Sequence, residues 1–144
     1  MKNLIVRFVF IFGLVGGFLN GAEIATVKLL EGTLKASMQN QTVKLKVGDR
    51  LSSDMVLQTS KGSSTTIVFD DNSVLVLGEN SIMNLQKYIF KPKVKKYSFE
   101  LYLKSGSATF ESGKIGEESP ESFIFRTPQG TVSIRGTKFA VKID

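Results

Sequence analysis

The sequence predicts an all-β single domain of many short strands, β-solenoid-like or sandwich-like in architecture. Three observations lead there. From Ile24 onward the apolar residues come in short runs, most of whose starts recur about every eight to twelve residues. Segments rich in Gly, Asn and Asp, which tolerate the backbone angles of tight turns, separate the runs. No window sustains the i, i+3, i+4, i+7 spacing of an amphipathic helix. At 144 residues, 42% hydrophobic and 22% charged, the chain has room for one globular domain.

Taken in order, strands are expected at 24–30, 33–37, 42–47, 55–59, 65–69, 73–77, 82–90, 97–103, 108–110, 122–126, 131–134 and 137–143. Between them lie Glu31-Gly32, Asn40-Gln41, Gly48-Asp49, Lys61-Gly62-Ser63-Ser64, Asp70-Asp71-Asn72, Gly78-Glu79-Asn80, Ser105-Gly106 and Pro128-Gln129-Gly130. Val43-Lys44-Leu45-Lys46-Val47 alternates and so presents one dry face. Val74-Leu75-Val76-Leu77 is apolar on both faces, which predicts a central strand covered on each side. Residues 111–121, with Gly, Pro, four glutamates and the isolated Ile115, read as a surface loop.

Ahead of the domain, Lys2 and Arg7 precede about a dozen apolar residues that end near Asn20-Gly21-Ala22. Residues 1–22 therefore read as a cleavable secretory signal, and 23–144 as the mature domain. A membrane-spanning helix needs roughly twenty apolar residues, and three glycines weaken this shorter stretch further. Lys2 and Arg7 leave with the signal and no acid does, so the formal charge of +6 falls to +4. The product is expected to be soluble, periplasmic or secreted, and to touch a membrane only through an uncleaved signal.

The chain has no Cys and no His, so thiol nucleophiles, disulfides, thiolate or imidazole metal sites and lipid attachment to Cys are excluded. No cofactor or metal is expected. No Gly-x-Ser-x-Gly elbow, Ser-x-x-Lys pair or Walker loop occurs, and Lys61-Gly62-Ser63-Ser64 lacks the Lys that a phosphate cradle needs. Two acid groups, Asp70-Asp71 with Glu79 and Glu117-Glu118, have the residue types of a glycosidase pair, but both fall in expected turns or loops. They are read as turn chemistry and the protein as a non-enzyme. Arg126 and Arg135 flank the 127–130 turn, and a strand-embedded guanidinium needs a carboxylate, so each is expected in an ion pair. Lys87, Lys91, Lys93, Lys95 and Lys96 interleave with Tyr88, Phe90 and Tyr97. In a cytosolic protein this pattern would suggest nucleic acid, but the export signal argues against that partner, and Pro92 argues for an exposed loop. Lys91, Lys93, Lys95 and Lys96 are the candidate partner contacts, with an anionic envelope glycan or lipid head group as the matching chemistry.

Several segments, taken in order, resemble the FecR domain family. Residues 27–33 resemble its opening strand and Gly turn, and Val47-Gly48-Asp49-Arg50-Leu51 its Gly-Asp-x-Leu step. Residues 59–69 resemble the Thr-plus-Gly turn and next strand, and Asp71-Asn72-Ser73 with the strand after it the Asp-Gly-Ser turn. Leu103-Lys104-Ser105-Gly106, Phe125-Arg126-Thr127-Pro128 and the closing run Val132-Ser133-Ile134-Arg135-Gly136-Thr137-Lys138-Phe139-Ala140-Val141 complete the series. Asn72 stands where the family usually has Gly, and Asn also tolerates the left-handed region. The resemblance implies structural roles for Gly48, Asp49, Asp71, Asn72, Ser73, Gly106, Thr127, Pro128, Arg135, Gly136, Thr137 and Phe139. It implies a bare binding or scaffold module of the bacterial envelope, with a protein or envelope glycan as partner. The full transmembrane regulators of the family carry a sigma-factor-binding segment and a transporter-docking part, and neither is expected in this chain. The alternative implied role is a periplasmic signalling relay between a transporter and a separate membrane regulator.

Overall fold

The computed structural model of the protein describes residues 22–133 and 138–143. Residues 1–21 of the expected signal at 1–22, and the motif residues Arg135, Gly136 and Thr137, lie outside the described residues. Twelve strands are described: β1 (Glu23–Glu31), β2 (Leu34–Met38), β3 (Gln41–Lys44), β4 (Arg50–Ser52), β5 (Val56–Thr59), β6 (Ser64–Phe69), β7 (Val74–Leu77), β8 (Ile82–Lys91), β9 (Lys96–Glu111), β10 (Phe123–Thr127), β11 (Gly130–Val132) and β12 (Lys138–Ile143). One short helix, α1 (Lys114–Glu118), and two 3-10 turns, Pro92–Val94 and Pro120–Ser122, complete the described elements.

The strands form a single curled sheet in the order β3-β2-β5-β8-β9-β7-β6-β1-β4, with β10 and β12 also on β9 and β11 on β10. Every pairing is antiparallel except β9 with β10. This matches the expected all-β single domain of many short strands, and it departs from the solenoid-like alternative, because stacked solenoid coils would pair their strands in parallel. The 16-residue β9 joins the two halves. Its first half lies between β8 and β10, and its second half between β7 and β12.

The core follows from strand alternation, which sends every second side chain inward. In β6 the inward set is Thr65, Ile67 and Phe69; in β9 it includes Phe99, Leu101, Leu103, Ala108 and Phe110. The two halves of the sheet meet through rings: Phe69 lies 4.7 Å from Phe99, Phe99 5.2 Å from Phe123, and Phe110 4.5 Å from Phe123, centroid to centroid. Such pairs add about 0.5–1.5 kcal/mol each beyond the area they bury.

The structure corrects five expectations. Ser105-Gly106 is not a turn, because β9 runs straight through it. Gly106 adopts φ +90 with Ser81 packed against its Cα, so the expected strands 97–103 and 108–110 are one strand with an irregular register opposite β8. β4 was not foreseen, since three residues are too few for a periodic signal. The alternating run at 43–47 pairs only through Lys44: Leu45 is buried, whereas Val47 is exposed. β7 lies between β6 and β9, but only Leu75 and Leu77 are fully buried, and Val74 and Val76 line a half-open outer face. Residues 111–121 are not a plain loop. They hold α1, and Ile115 is fully buried in the core.

Gly113, just ahead of α1, fixes this last feature. A Cβ there would collide with Asp71 O, Ser73 N and Asn72 C, all rigid backbone of the β6–β7 turn. The domain is expected to unfold in one cooperative thermal transition, and Gly113→Ala to destabilise it by about 2 kcal/mol, read as a lowered midpoint.

Candidate functional site

The Asp71-Asn72-Ser73 turn between β6 and β7 is the most densely bonded polar place in the described structure. Asn72 adopts φ +71, in the left-handed region that Asn tolerates, and its N–H donates to Phe69 O at 2.9 Å. This sharp turn directs the Asp71 side chain inward, where it is buried. Its carboxylate accepts four hydrogen bonds: from Ser73 N–H (3.2 Å), Ser73 Oγ–H (2.9 Å), Tyr88 O–H (3.1 Å) and Ile115 N–H (3.0 Å). Its backbone adds two, Asp71 N–H donating to Tyr88 Oη at 2.8 Å and Lys114 N–H donating to Asp71 O at 2.8 Å. Gly113 N–H donates to Ser73 Oγ at 2.9 Å. Three segments distant in sequence therefore converge on one buried charge, whose desolvation is offset by charge-assisted bonds. Burial, and then the Asp71 carboxylate, push the Tyr88 phenol far above its ordinary value of 10.0.

The other acids are also engaged, each in a different place. Asp70 points outward, and its two oxygens take the Arg50 fork at 3.1 and 3.2 Å. Arg50 also donates to Thr26 Oγ1 at 2.7 Å, which ties β1, β4 and the β6–β7 turn together. Glu79 lies at the far end of β7 and accepts from Gly62 N–H at 2.7 Å. Glu117 faces Lys114 at 3.7 Å, and Glu118 accepts from Tyr97 O–H at 2.7 Å. A glycosidase pair needs two carboxylates facing each other across about 5–9.5 Å of open cleft. Here β7 separates Asp71 from Glu79, and Asp71 is sealed inside. Asp70 and Glu79 sit in exposed turns as expected, but Asp71 does not: it is a turn residue with a buried, saturated side chain.

Arg126 meets its expectation. It donates to Glu100 at 2.8 Å and to Gln86 at 3.2 Å, bridging β10, β9 and β8. Among the remaining motif residues, Gly48 (φ +96) forms the turn before β4, where Asp49 accepts from Lys46 N–H at 2.9 Å. Thr127 Oγ1 accepts from Gln129 N–H at 3.1 Å across the exposed Pro128 turn, and Phe139 packs 5.2 Å from Phe125. The lysines fall where the sequence puts them. Lys91, Lys93, Lys95 and Lys96 surround the turn at the tip of the β8–β9 hairpin, and all are exposed.

Two further features were not legible beforehand. A shallow groove of about 310 Å³ runs between β7 and β12, lined by Val76, Ser107, Thr109, Ala140 and Lys142 among others. Among the described residues, β12 pairs on one side only, as do β3, β4 and β11. Tyr88, Gly113 and Ile115, the partners of Asp71, were also missed. Their link to Asp71 spans up to 44 positions of sequence, and no local pattern carries it.

Asp71→Ala strands several buried donors and is expected to cost about 3 kcal/mol in denaturant unfolding, whereas Asp70→Asn loses an exposed pair worth under about 1 kcal/mol. Tyr88 adds a pH dependence. Its folded-state pKa lies above its unfolded one, so its contribution is complete below about pH 10 and is lost as pH climbs, by up to about 1.4 kcal/mol per pH unit. Unfolding measured from pH 9 to 11 is expected to show this fall in the wild type and a shallower one in Tyr88→Phe.

In the comparison with known families, the model described as FecR protein matches residues 55–144. No curated protein and no solved structure matches the chain. The matched region takes in β5 to β12, and with them the Asp71 junction, the lysine hairpin and the closing run, while the resembling segments at 27–33 and 47–51 lie ahead of it. With well over half of its length matched, the chain belongs to the FecR protein family.

Proposed function

We propose that the protein is an exported, non-enzymatic binding or scaffold module of the bacterial envelope, working in the periplasm or outside the cell. Membership of the FecR family carries the envelope part of this reading. The use made of the acids supports binding over catalysis. Asp71 holds three segments together, Asp70 holds Arg50, and Glu79 holds the Gly62 turn, so each carboxylate is spent on the scaffold. Recognition would then run through backbone groups. The outer edge of β12, unpaired among the described residues, offers N–H and C=O groups to a partner strand, and the exposed Lys138, Ala140 and Lys142 beside it meet alternate side chains of that strand. Lys138 and Lys142, exposed on this edge strand, favour an acidic partner and disfavour a second β12, because two antiparallel copies would set lysine against lysine.

Family membership also favours a second reading, in which the module is a signalling relay between a transporter and a separate membrane regulator. One experiment addresses both. A photo-reactive residue replacing Lys142 is expected to give one discrete protein adduct in cells, with the chain recovered in osmotic-shock fluid. An adduct with an outer-membrane transporter or a membrane regulator selects the relay. Retention in the cytoplasm, or hydrolysis of envelope glycan by the purified chain that Glu79→Gln abolishes, overturns the proposal.

A further inference from the structure

We infer that the tip of the β8–β9 hairpin is a docking point for an anionic lipid bilayer. The hairpin outruns its neighbours. The β5 pairing with β8 ends at Asn84, and the β10 pairing with β9 ends at Phe99. Among the described residues, 89–91 and 96–98 therefore pair only with each other, carrying the turn about 10 Å beyond the last flanked pair.

The turn itself is held by a backbone hydrogen bond. Pro92 opens a 3-10 turn that closes with Lys95 N–H donating to Pro92 O at 3.2 Å, and Lys95 takes φ +53 to reverse the chain. Every residue from Lys91 to Lys96 is exposed, Val94 at 69%. The apex thus presents one aliphatic side chain with Lys91 and Lys93 on one side and Lys95 and Lys96 on the other. Among the described residues none of these lysines has an ion-pair partner. Glu118, bonded to Tyr97 O–H, and Glu100, bonded to Arg126, are engaged elsewhere.

The side-chain chemistry favours lipid over glycan. Lys-Pro-Lys-Val-Lys-Lys contains no amide, hydroxyl or fork-shaped donor to read sugar hydroxyls, only point charges around an apolar tip. A bilayer of anionic head groups offers both matching halves: negative charge for the ammonium groups and an acyl boundary for Val94. This adds a membrane contact to the proposed envelope role and does not depend on the protein partner, because its test uses the purified chain alone.

The chain has no Trp, so Val94→Trp places a single reporter at the apex. Added to vesicles of phosphatidylcholine mixed with phosphatidylglycerol, the full-length variant is expected to show a blue-shifted emission that brominated lipid quenches. Phosphatidylcholine alone should leave it unchanged. Each of Lys91→Gln, Lys93→Gln, Lys95→Gln and Lys96→Gln added to that background is expected to weaken partitioning about fivefold without moving the thermal midpoint. All variants share the N-terminal segment, so binding through that segment would leave Trp emission at position 94 unshifted. An unshifted emission, an equal shift with neutral vesicles, or an equal shift with a soluble acidic polysaccharide would each overturn the inference, the last in favour of a glycan site.

Discussion

A buried carboxylate has to be saturated with hydrogen bonds or it unfolds its surroundings, and Asp71 places that demand at the centre of this protein. Its oxygens are met by two backbone N–H groups, a serine and a tyrosine, drawn from the β6–β7 turn, from β8 and from α1. The arrangement is self-consistent. The left-handed turn at Asn72 points the carboxylate inward, Gly113 lets α1 approach the turn without a side chain in the way, and α1 then delivers Ile115 to the core. Removing any one of these leaves the others without their reason.

Around this junction the long β9 organises the rest. Because it pairs with β8 and β10 in its first half and with β7 and β12 in its second, one strand carries the sheet from one face of the core to the other. Gly106 accommodates the change of neighbours midway, and the Phe99, Phe110 and Phe123 rings fill the space that the curl encloses. The consequence for function is a division of labour. Asp71 and the core phenylalanines face inward and Asp70, Glu79 and Glu118 are engaged in structural contacts, while strand edges, a shallow groove and the lysine-rich hairpin tip face outward.

Much of this was legible in the sequence, where local chemistry decides. Short apolar runs between turn-forming segments found most of the strands, including 65–69 for β6 and 82–90 for β8, and Pro92 with its flanking lysines marked the hairpin tip. The failures occur where a long-range contact overrides a local signal. Gly106 reads as a turn glycine, but Ser81 pressing on it makes it an irregularity inside β9. The Glu- and Gly-rich run at 111–121 reads as a loop, but the Asp71 carboxylate caps its backbone and its one apolar residue becomes an anchor. Asp71 itself reads as turn chemistry, which is correct for its backbone and wrong for its burial. The order of the motif segments, more than any one of them, pointed to the family, and the family match covers the segments from residue 59 onward.

If Asp71 is the structural centre, the Ile115 amide must be as protected as the strands it joins. Hydrogen exchange followed residue by residue tests this most directly. The Ile115 N–H is expected to exchange with the opening free energy of Leu75 and Phe110 in the neighbouring strands, because all of them open only when the junction does. Exchange of Ile115 at the rate of an exposed loop amide, with Leu75 and Phe110 still protected, would contradict it and leave the carboxylate free for another role.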